Sequence, residues 1–303
     1  MSRTTPEPLI VLGAGCAGLS LAAALLRAGV RDQILVLDRR GDWPDDRTWC
    51  FWDTGGIPHA DLARHAWPAW SVETPAARTV ARGRRHRYVH LRSRELYDRL
   101  LAELEAAPNC ELRTSVTVTG VREDARGVEV STSAGSVRGR RAWDAMGGAG
   151  PLLRGRPDGA VELRQAFLGQ EVETATAAFD PGVASLMDFR VSQEDGLHFV
   201  YVLPFSPTRA LVEDTHVGRR PVAPAVRRAT LRRYLGECWG VDAFTVLGEE
   251  RGSLAMTSWS FPPVRSERIA AVGAAAGAIR PSSGYAFVRL QRHVQAVAAA
   301  VAA

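Results

Sequence analysis

Apolar positions fall into short runs separated by glycine, proline and charge. Leu9-Ile10-Val11-Leu12 is an unbroken apolar run, the pattern of a strand buried on both faces. The alanine- and leucine-rich stretch Leu19 to Arg27 predicts a helix stopped by Gly29. Ile34-Leu35-Val36-Leu37 repeats the buried-strand pattern and ends at Asp38. Tyr88-Val89-His90-Leu91 predicts another strand, with Ser93 as N-cap of a helix through Arg94-Glu95-Leu96-Tyr97. Segments 167–173, 185–191, 197–205 and 209–216 are aromatic and β-branched and predict an antiparallel sheet. Pro224 to Cys238 predicts a helix with a solvated basic face. The pattern describes two interleaved domains, one of residues 1–55, 85–150 and 265–303, the other of 56–84 and 151–264.

Between the first strand and helix lies Gly13-Ala14-Gly15-Cys16-Ala17-Gly18, with G-x-G-x-x-G spacing. Gly13 permits a tight turn, Gly15 lets a pyrophosphate approach the backbone, and Gly18 lets helix and strand pack closely. The helix N-terminus offers free N–H groups to phosphates. Asp38, 20 residues after Gly18, stands where a carboxylate can accept hydrogen bonds from a ribose. Strand, glycines, helix, strand and acid in register predict dinucleotide binding, whereas the glycines alone are a weak signal.

Composition narrows the class. The 303 residues are 46% hydrophobic and 23% charged, which excludes a disordered chain, a fibre or a small stapled scaffold. All 38 basic residues are arginine, against 33 acidic ones, a net charge of +5. They are scattered, which fits a solvated surface or a face towards anionic lipid. No recognition motif accompanies them, so nucleic acid is not expected. The four cysteines lack C-x-x-C spacing, and a reduced intracellular protein without structural metal is expected. The polar start predicts no signal peptide, and no apolar run is long enough for a transmembrane helix.

Three segments favour FAD over NAD. The strand and helix around Ser93 and Arg94 resemble the arginine-bearing helix of flavin hydroxylases, which implies Arg94 near the cofactor. Trp143-Asp144-Ala145-Met146-Gly147 resembles their D-A-x-G segment, and Ile269-Ala270-Ala271-Val272-Gly273 their last strand before the isoalloxazine. Ala274 stands where those enzymes carry an aspartate for the ribityl chain.

The string Asp46-Arg47-Thr48-Trp49-Cys50-Phe51-Trp52 resembles the lycopene cyclase family of carotenoid biosynthesis. So do Gln165 to Gly169, Phe179-Asp180-Pro181, Leu186-Met187-Asp188-Phe189-Arg190, Leu211-Val212-Glu213-Asp214-Thr215 and Pro281 to Phe287. The resemblance runs from residue 9 to about 291 and implies an α/β fold. In it, a Rossmann-like FAD-binding domain of the glutathione-reductase-like class is interleaved with an antiparallel-sheet substrate domain. It implies lycopene β-cyclase activity on lycopene or a related acyclic carotenoid, with reduced FAD and NAD(P)H as its reductant. Because the substrate lives in lipid, the expected location is cytoplasmic, peripheral to the inner face of the cell membrane.

Cyclisation requires an acid that protonates an alkene, then loss of a proton from the ring cation. A carboxyl group serves if burial keeps it neutral, and the same burial excludes water from the cation. Glu213 is the expected acid, with neighbouring Asp214 on the other face of its strand. Asp188 is a second candidate, either catalytic or paired with Arg190; Glu249 and Glu250 read as a solvated strand end. Trp49, Phe51 and Trp52 line a channel or pack a core. Arg47 contacts FAD or forms a surface ion pair; Gly273, Gly284 and Tyr285 are expected near the flavin. His90 and His198 read as structural.

Two alternatives stand. One is a flavin monooxygenase or prenyl reductase on a similar fold, which would consume reductant in step with product. The other is an inactive, truncated FAD-binding remnant, because the chain ends at Ala303 where family members continue.

Overall fold

A computed structural model describes residues 7–147, 152, 159–194, 196–259 and 261–303. The chain divides into two compact units, 1–45, 93–160 and 259–303 in one and 46–92 and 161–258 in the other. It passes between them several times. The first unit opens with β1 (Leu9–Leu12), α1 (Cys16–Arg27) and β2 (Ile34–Leu37). The second then takes β3 (Thr48–Asp53), β4 (His65–Trp67), β5 (Ala69–Glu73), β6 (Arg78–Arg82) and β7 (Arg87–Arg92). Back in the first come α2 (Ser93–Glu105), β8 (Cys110–Arg113), β9 (Val118–Asp124), β10 (Gly127–Thr132), β11 (Gly135–Gly139) and β12 (Arg141–Asp144). The second continues with β13 (Glu162–Glu173), β14 (Val183–Asp188), β15 (Leu197–Pro204), β16 (Arg209–Gly218), α3 (Pro224–Trp239) and β17 (Thr245–Thr257). The first closes with β18 (Ile269–Ala271) and α4 (Phe287–Ala302).

The first unit is built on a parallel sheet of order β18-β12-β1-β2-β8, the doubly wound arrangement expected. All residues of β1 and β2 are buried, as unbroken apolar runs require. Ile10, Leu12, Leu35 and Leu37 pack with Val128 and Val130 of the small β9–β11 sheet. Gln291 of α4 donates to Ser20 Oγ of α1 at 2.9 Å, tying the last helix to the first. Helix α1 starts at Cys16, three residues before the predicted run, because Leu19 N–H already reaches Gly15 O at 3.0 Å. Ser93 is not the N-cap of α2; Asp45 caps it instead, accepting the Ser93 hydroxyl at 3.2 Å and the Arg94 N–H at 3.3 Å.

The second unit carries a seven-stranded sheet of order β17-β13-β16-β15-β14-β5-β6. The four expected strands, β13 to β16, pair antiparallel as expected, and β5, which was not among them, joins β14 in parallel. The two strands come from separate passages of chain, so no tight turn forces them antiparallel. Helix α3 covers one face, packing Leu231, Tyr234 and Leu235 on Leu168, Val200, Val202 and Val212. The expected boundaries at 55 and 85 are also corrected, since β3 and β7 belong to this unit. They pair in the small sheet β3-β7-β4, and Trp52 lies 4.9 Å from Tyr88 and 5.7 Å from Trp70, centroid to centroid. A strand running straight into a helix reads as one domain, yet the chain changes units between Arg92 and Ser93. The expected boundary at 150–151 lies outside the described residues.

A β-carbon on Gly18 would overlap the Gly13 carbonyl oxygen, while one on Gly15 would meet only Arg40 Nη2, at 3.8 Å. Gly18→Ala should therefore cost about 3 kcal/mol or more. Gly15→Ala should leave the denaturant midpoint nearly unchanged, and equilibrium unfolding of both variants checks the contrast.

Candidate functional site

In the first unit, β1 and β12 are neighbours, and the strand order reverses between them. Ligands of open α/β sheets bind outside the strand C-termini at such a reversal. Gly13, with φ of +96°, turns the chain there, and a β-carbon on it would come within 3.1 Å of Ala145 O at the end of β12. Gly15 is the N-cap of α1 without any side-chain cap, so the first-turn N–H groups are not served by a side chain at that position. Asp38 orders the loop from β2: its Oδ2 accepts the Ala14 N–H at 2.5 Å and its Oδ1 the Arg40 N–H at 2.7 Å. Arg40 Nη2 and Trp43 Nε1 both donate to Ala14 O, at 2.7 and 2.6 Å. Asp144, at the end of β12, gives Oδ1 to the Met146 N–H, while its buried Oδ2 has no hydrogen-bond partner. Burial raises its pKa. Open space at Gly15, a capless helix start, a guanidinium beside the loop and an orphan carboxylate oxygen fit a dinucleotide such as FAD.

In the second unit the decisive feature is the two faces of the large sheet. Residues directly opposite in antiparallel strands share a face. Asp188 stands opposite Val200, and Val200 opposite Asp214, so both acids lie on the face covered by α3. Asp214 is 1% exposed, bonded to Arg227 at 2.8 Å and to His198 Nε2 at 2.7 Å. Asp188 is fully buried, bonded to Arg190 and to the Tyr234 hydroxyl, both at 2.6 Å. Burial would raise its pKa, but those hydrogen bonds outweigh it and hold the carboxyl below its ordinary value.

Glu213 points to the other face. Tyr201 and Gly169 flank it in register, and Gly169 also faces Glu250, giving the row Tyr201, Glu213, Gly169, Glu250. The next row brings Phe199, Thr215 and Phe167 to the same face. Thr215 Oγ1 donates to Glu213 at 3.0 Å, and Thr48 Oγ1 of β3 donates to Glu250 at 2.9 Å. Burial raises the Glu213 pKa to about 8; the neighbouring charges of Glu250 and Asp214 add to this, while Thr215 and Arg227 oppose it. The Cys50 thiol of β3 is also raised, by burial first and then by Glu213 and Glu250, so it shares their surroundings. His90 pairs with Cys50 across β3 and β7; burial, then Arg92, His65 and Arg64, push its pKa to about 3 and leave it neutral.

A family model described as "Lycopene cyclase protein" matches residues 8–303. The chain belongs to the lycopene cyclase family. The lycopene beta-cyclase of Pantoea ananas is 30% identical over 291 residues, 91% of this chain and 70% of that protein. The lycopene beta-cyclase of a Paracoccus strain is 33% identical over 219 residues, 68% of this chain and half of that protein. Among solved structures, a geranylgeranyl bacteriochlorophyll reductase-like protein of Thermoplasma acidophilum has a TM-score of 0.74 at 16% identity, over 98% of this chain and 78% of that one. A halogenase, PltM, solved with FAD has a TM-score of 0.69 at 14% identity, over 98% and 69%. These likenesses show the fold, a Rossmann-like unit interleaved with a second, sheet-based unit.

For this lycopene cyclase family member, the structure sorts the expected residues. Gly13, Gly15, Gly18, Asp38 and Asp144 gather at the switch point of the first unit. Gly273 belongs there too: its φ is +66°, and a β-carbon on it would meet Ala17 Cβ of α1 at 2.5 Å. Gly284 turns the chain with φ of +73° before α4, with Tyr285 beside it. Arg94 is exposed and pairs with Asp98 at 3.6 Å, and Arg47, in the second unit, pairs with Asp46 at 2.7 Å. The arginine at the glycine loop is Arg40, two residues beyond Asp38, which sequence reasoning passed over. Of Glu213, Asp214 and Asp188, only Glu213 lies on the face away from α3. Asp214 makes the structural pair expected of the residue beside Glu213, and Asp188 takes the second of its two expected roles, an ion pair with Arg190. Glu250, read as a solvated strand end, is instead 9% exposed and beside Glu213. Its one signal was adjacency to Glu249, because one of two successive strand residues must face inward.

Asp214→Ala would strand Arg227, itself 4% exposed, without its carboxylate. The expected loss is about 3–5 kcal/mol. Glu249→Ala, which frees the exposed Arg228, should cost less than about 1 kcal/mol. Urea unfolding midpoints of the two variants check this.

Proposed function

We propose that the chain closes the acyclic end group of lycopene, or a related acyclic carotenoid, into a β-ring. The single observation that carries the chemistry is Glu213, a carboxyl group held neutral near pH 7 on a face shared with Phe167, Phe199 and Tyr201. The neutral acid places a proton on the terminal alkene, the resulting cation closes the ring, and a ring proton leaves. No electrons are exchanged with the hydrocarbon. Aromatic faces stabilise a desolvated cation by about 2 kcal/mol. The family match disfavours the monooxygenase and prenyl-reductase alternative.

Gly13, Gly15 and the first turn of α1 would hold the pyrophosphate of FAD, with Arg40 beside it and Asp38 and Asp144 towards its hydroxyl groups. Reduced FAD, kept so by NAD(P)H, would supply an electron-rich ring that offsets cationic charge. The substrate dissolves in lipid, so the protein is proposed to work at the inner face of the cell membrane. None of the described helices is long and apolar enough to cross a membrane.

Expression in bacteria that accumulate lycopene, with chromatography of the pigments, tests the proposal. β-Carotene or γ-carotene is expected; unchanged lycopene in cells holding flavin-loaded protein would overturn it. Glu213→Gln should lower cyclisation about 10²–10⁴-fold, the usual contribution of a general acid. The acid must be protonated to act, so the rate should hold at neutral pH and fall as pH rises through about 8. Gly15→Val should purify with little flavin absorbance yet unchanged circular dichroism, because its side chain would occupy the phosphate position.

A further inference from the structure

Gly169 sits between Glu213 and Glu250 in one cross-strand row. Adjacent strands place facing Cα atoms about 4.5–5.5 Å apart, so two glutamates separated by one strand meet only if the strand between leaves space. A β-carbon on Gly169 would lie 3.3 Å from Glu250 Cγ, 3.4 Å from Glu213 Cβ and 3.1 Å from Leu211 Cδ1. The Glu250 side chain therefore leans over the glycine towards the Glu213 strand, beside the Leu211 side chain. The Gly169 backbone has no positive φ, so conformation does not require glycine here; the space above it does.

We propose that Glu250 is the positioning partner of Glu213, the two forming a carboxyl–carboxylate pair across Gly169 that holds one proton, on Glu213, with the negative charge on Glu250. This deepens the reading of Glu213 as proton donor and rests on it. Two carboxylates in one site cannot both ionise readily, so the first proton is retained. Each carboxyl group accepts one threonine hydroxyl, Glu250 from Thr48 at 2.9 Å and Glu213 from Thr215 at 3.0 Å, so the retained proton follows from the mutual repulsion and not from these bonds. Other groups close to the pair are Cys50 of β3, Asp214 on the Glu213 strand, and Arg227 of α3. Arg92 of β7, opposite Thr48, is bonded to Glu171 at 3.1 Å.

The balance closes without an external base. The Glu213 proton goes to the alkene carbon, leaving two carboxylates beside a carbocation. Repulsion from the Glu250 carboxylate makes the Glu213 carboxylate a stronger base than it would be alone. The ring carbon beside the cation then gives a proton back as its C–H electron pair forms the ring double bond. Glu213 returns to its starting form, and the resting charge on Glu250 favours the cation throughout.

The test uses the flavin-loaded full chain and two readouts. One is the pH profile of cyclisation. The other is the infrared carbonyl band of a protonated carboxyl, assigned to Glu213 by its loss in Glu213→Gln. In Glu250→Gln, and independently in Gly169→Ala, the high-pH limb and the band titration should both move down by about one pH unit or more, a tenfold loss of proton affinity. Glu250→Asp should restore most of the shift. A limb and band that stay in place in the folded variants would overturn the pair, while inactivity of Glu213→Gln would still support Glu213 as donor. If Glu213→Gln cyclises normally, the donor reading fails, and the band titration alone decides whether the pair holds one proton. Should Glu250→Gln not fold, the same two outcomes are read from Gly169→Ala.

Discussion

The cost of placing an ionised carboxylate away from water shapes the second unit. A buried carboxylate must be paired with a cation or must keep its proton. The large sheet does both, one on each face. On the α3 side, Asp188 is paired with Arg190 and Tyr234, which hold its carboxyl below the ordinary value, and Asp214 is bonded to Arg227 and His198. On the opposite side Glu213 lies beside Glu250, and the outcome is a neutral acid. The α3-side pairs anchor the helix to the strands. They thereby fix the strands whose outward residues form the acidic row.

The period of two along a strand makes this separation cheap. Glu213 and Asp214 are consecutive, yet their environments are opposite, because successive side chains leave opposite faces. Glu249 and Glu250 repeat the pattern on β17: Glu249 reaches Gln170 and Arg228 on the helix side, and Glu250 joins Glu213. Two adjacent acidic pairs on different strands thus place one carboxyl group on each face of the sheet. Glycine completes the geometry by what it omits, at Gly169 between the glutamates and at Gly18 against the Gly13 carbonyl.

Much of the first unit was legible in the sequence. Its first two strands are unbroken apolar runs, its loop has fixed spacing, and the hydrogen bonds from Asp38 and Arg40 that shape the loop join consecutive elements. Arg40 was missed because no motif marks a cation two residues past the acid; its role depends on a reach back to Ala14 O. The unit boundaries were misplaced because β7 runs directly into α2, and only the pairing of β7 with β3 and β4 reveals its allegiance.

By itself the sequence determined the family, the nucleotide loop, most strands of the large sheet and the prominence of Glu213. These follow from short strings whose chemistry acts within a few residues. Tertiary structure decided which acids are neutralised and which one keeps a proton. It also decided that Glu250 is a neighbour of Glu213 and not a solvated end. The physical reason is register: proton affinity depends on charges and desolvation supplied by strands distant in the chain, and alternation alone says that two faces exist without saying what covers each.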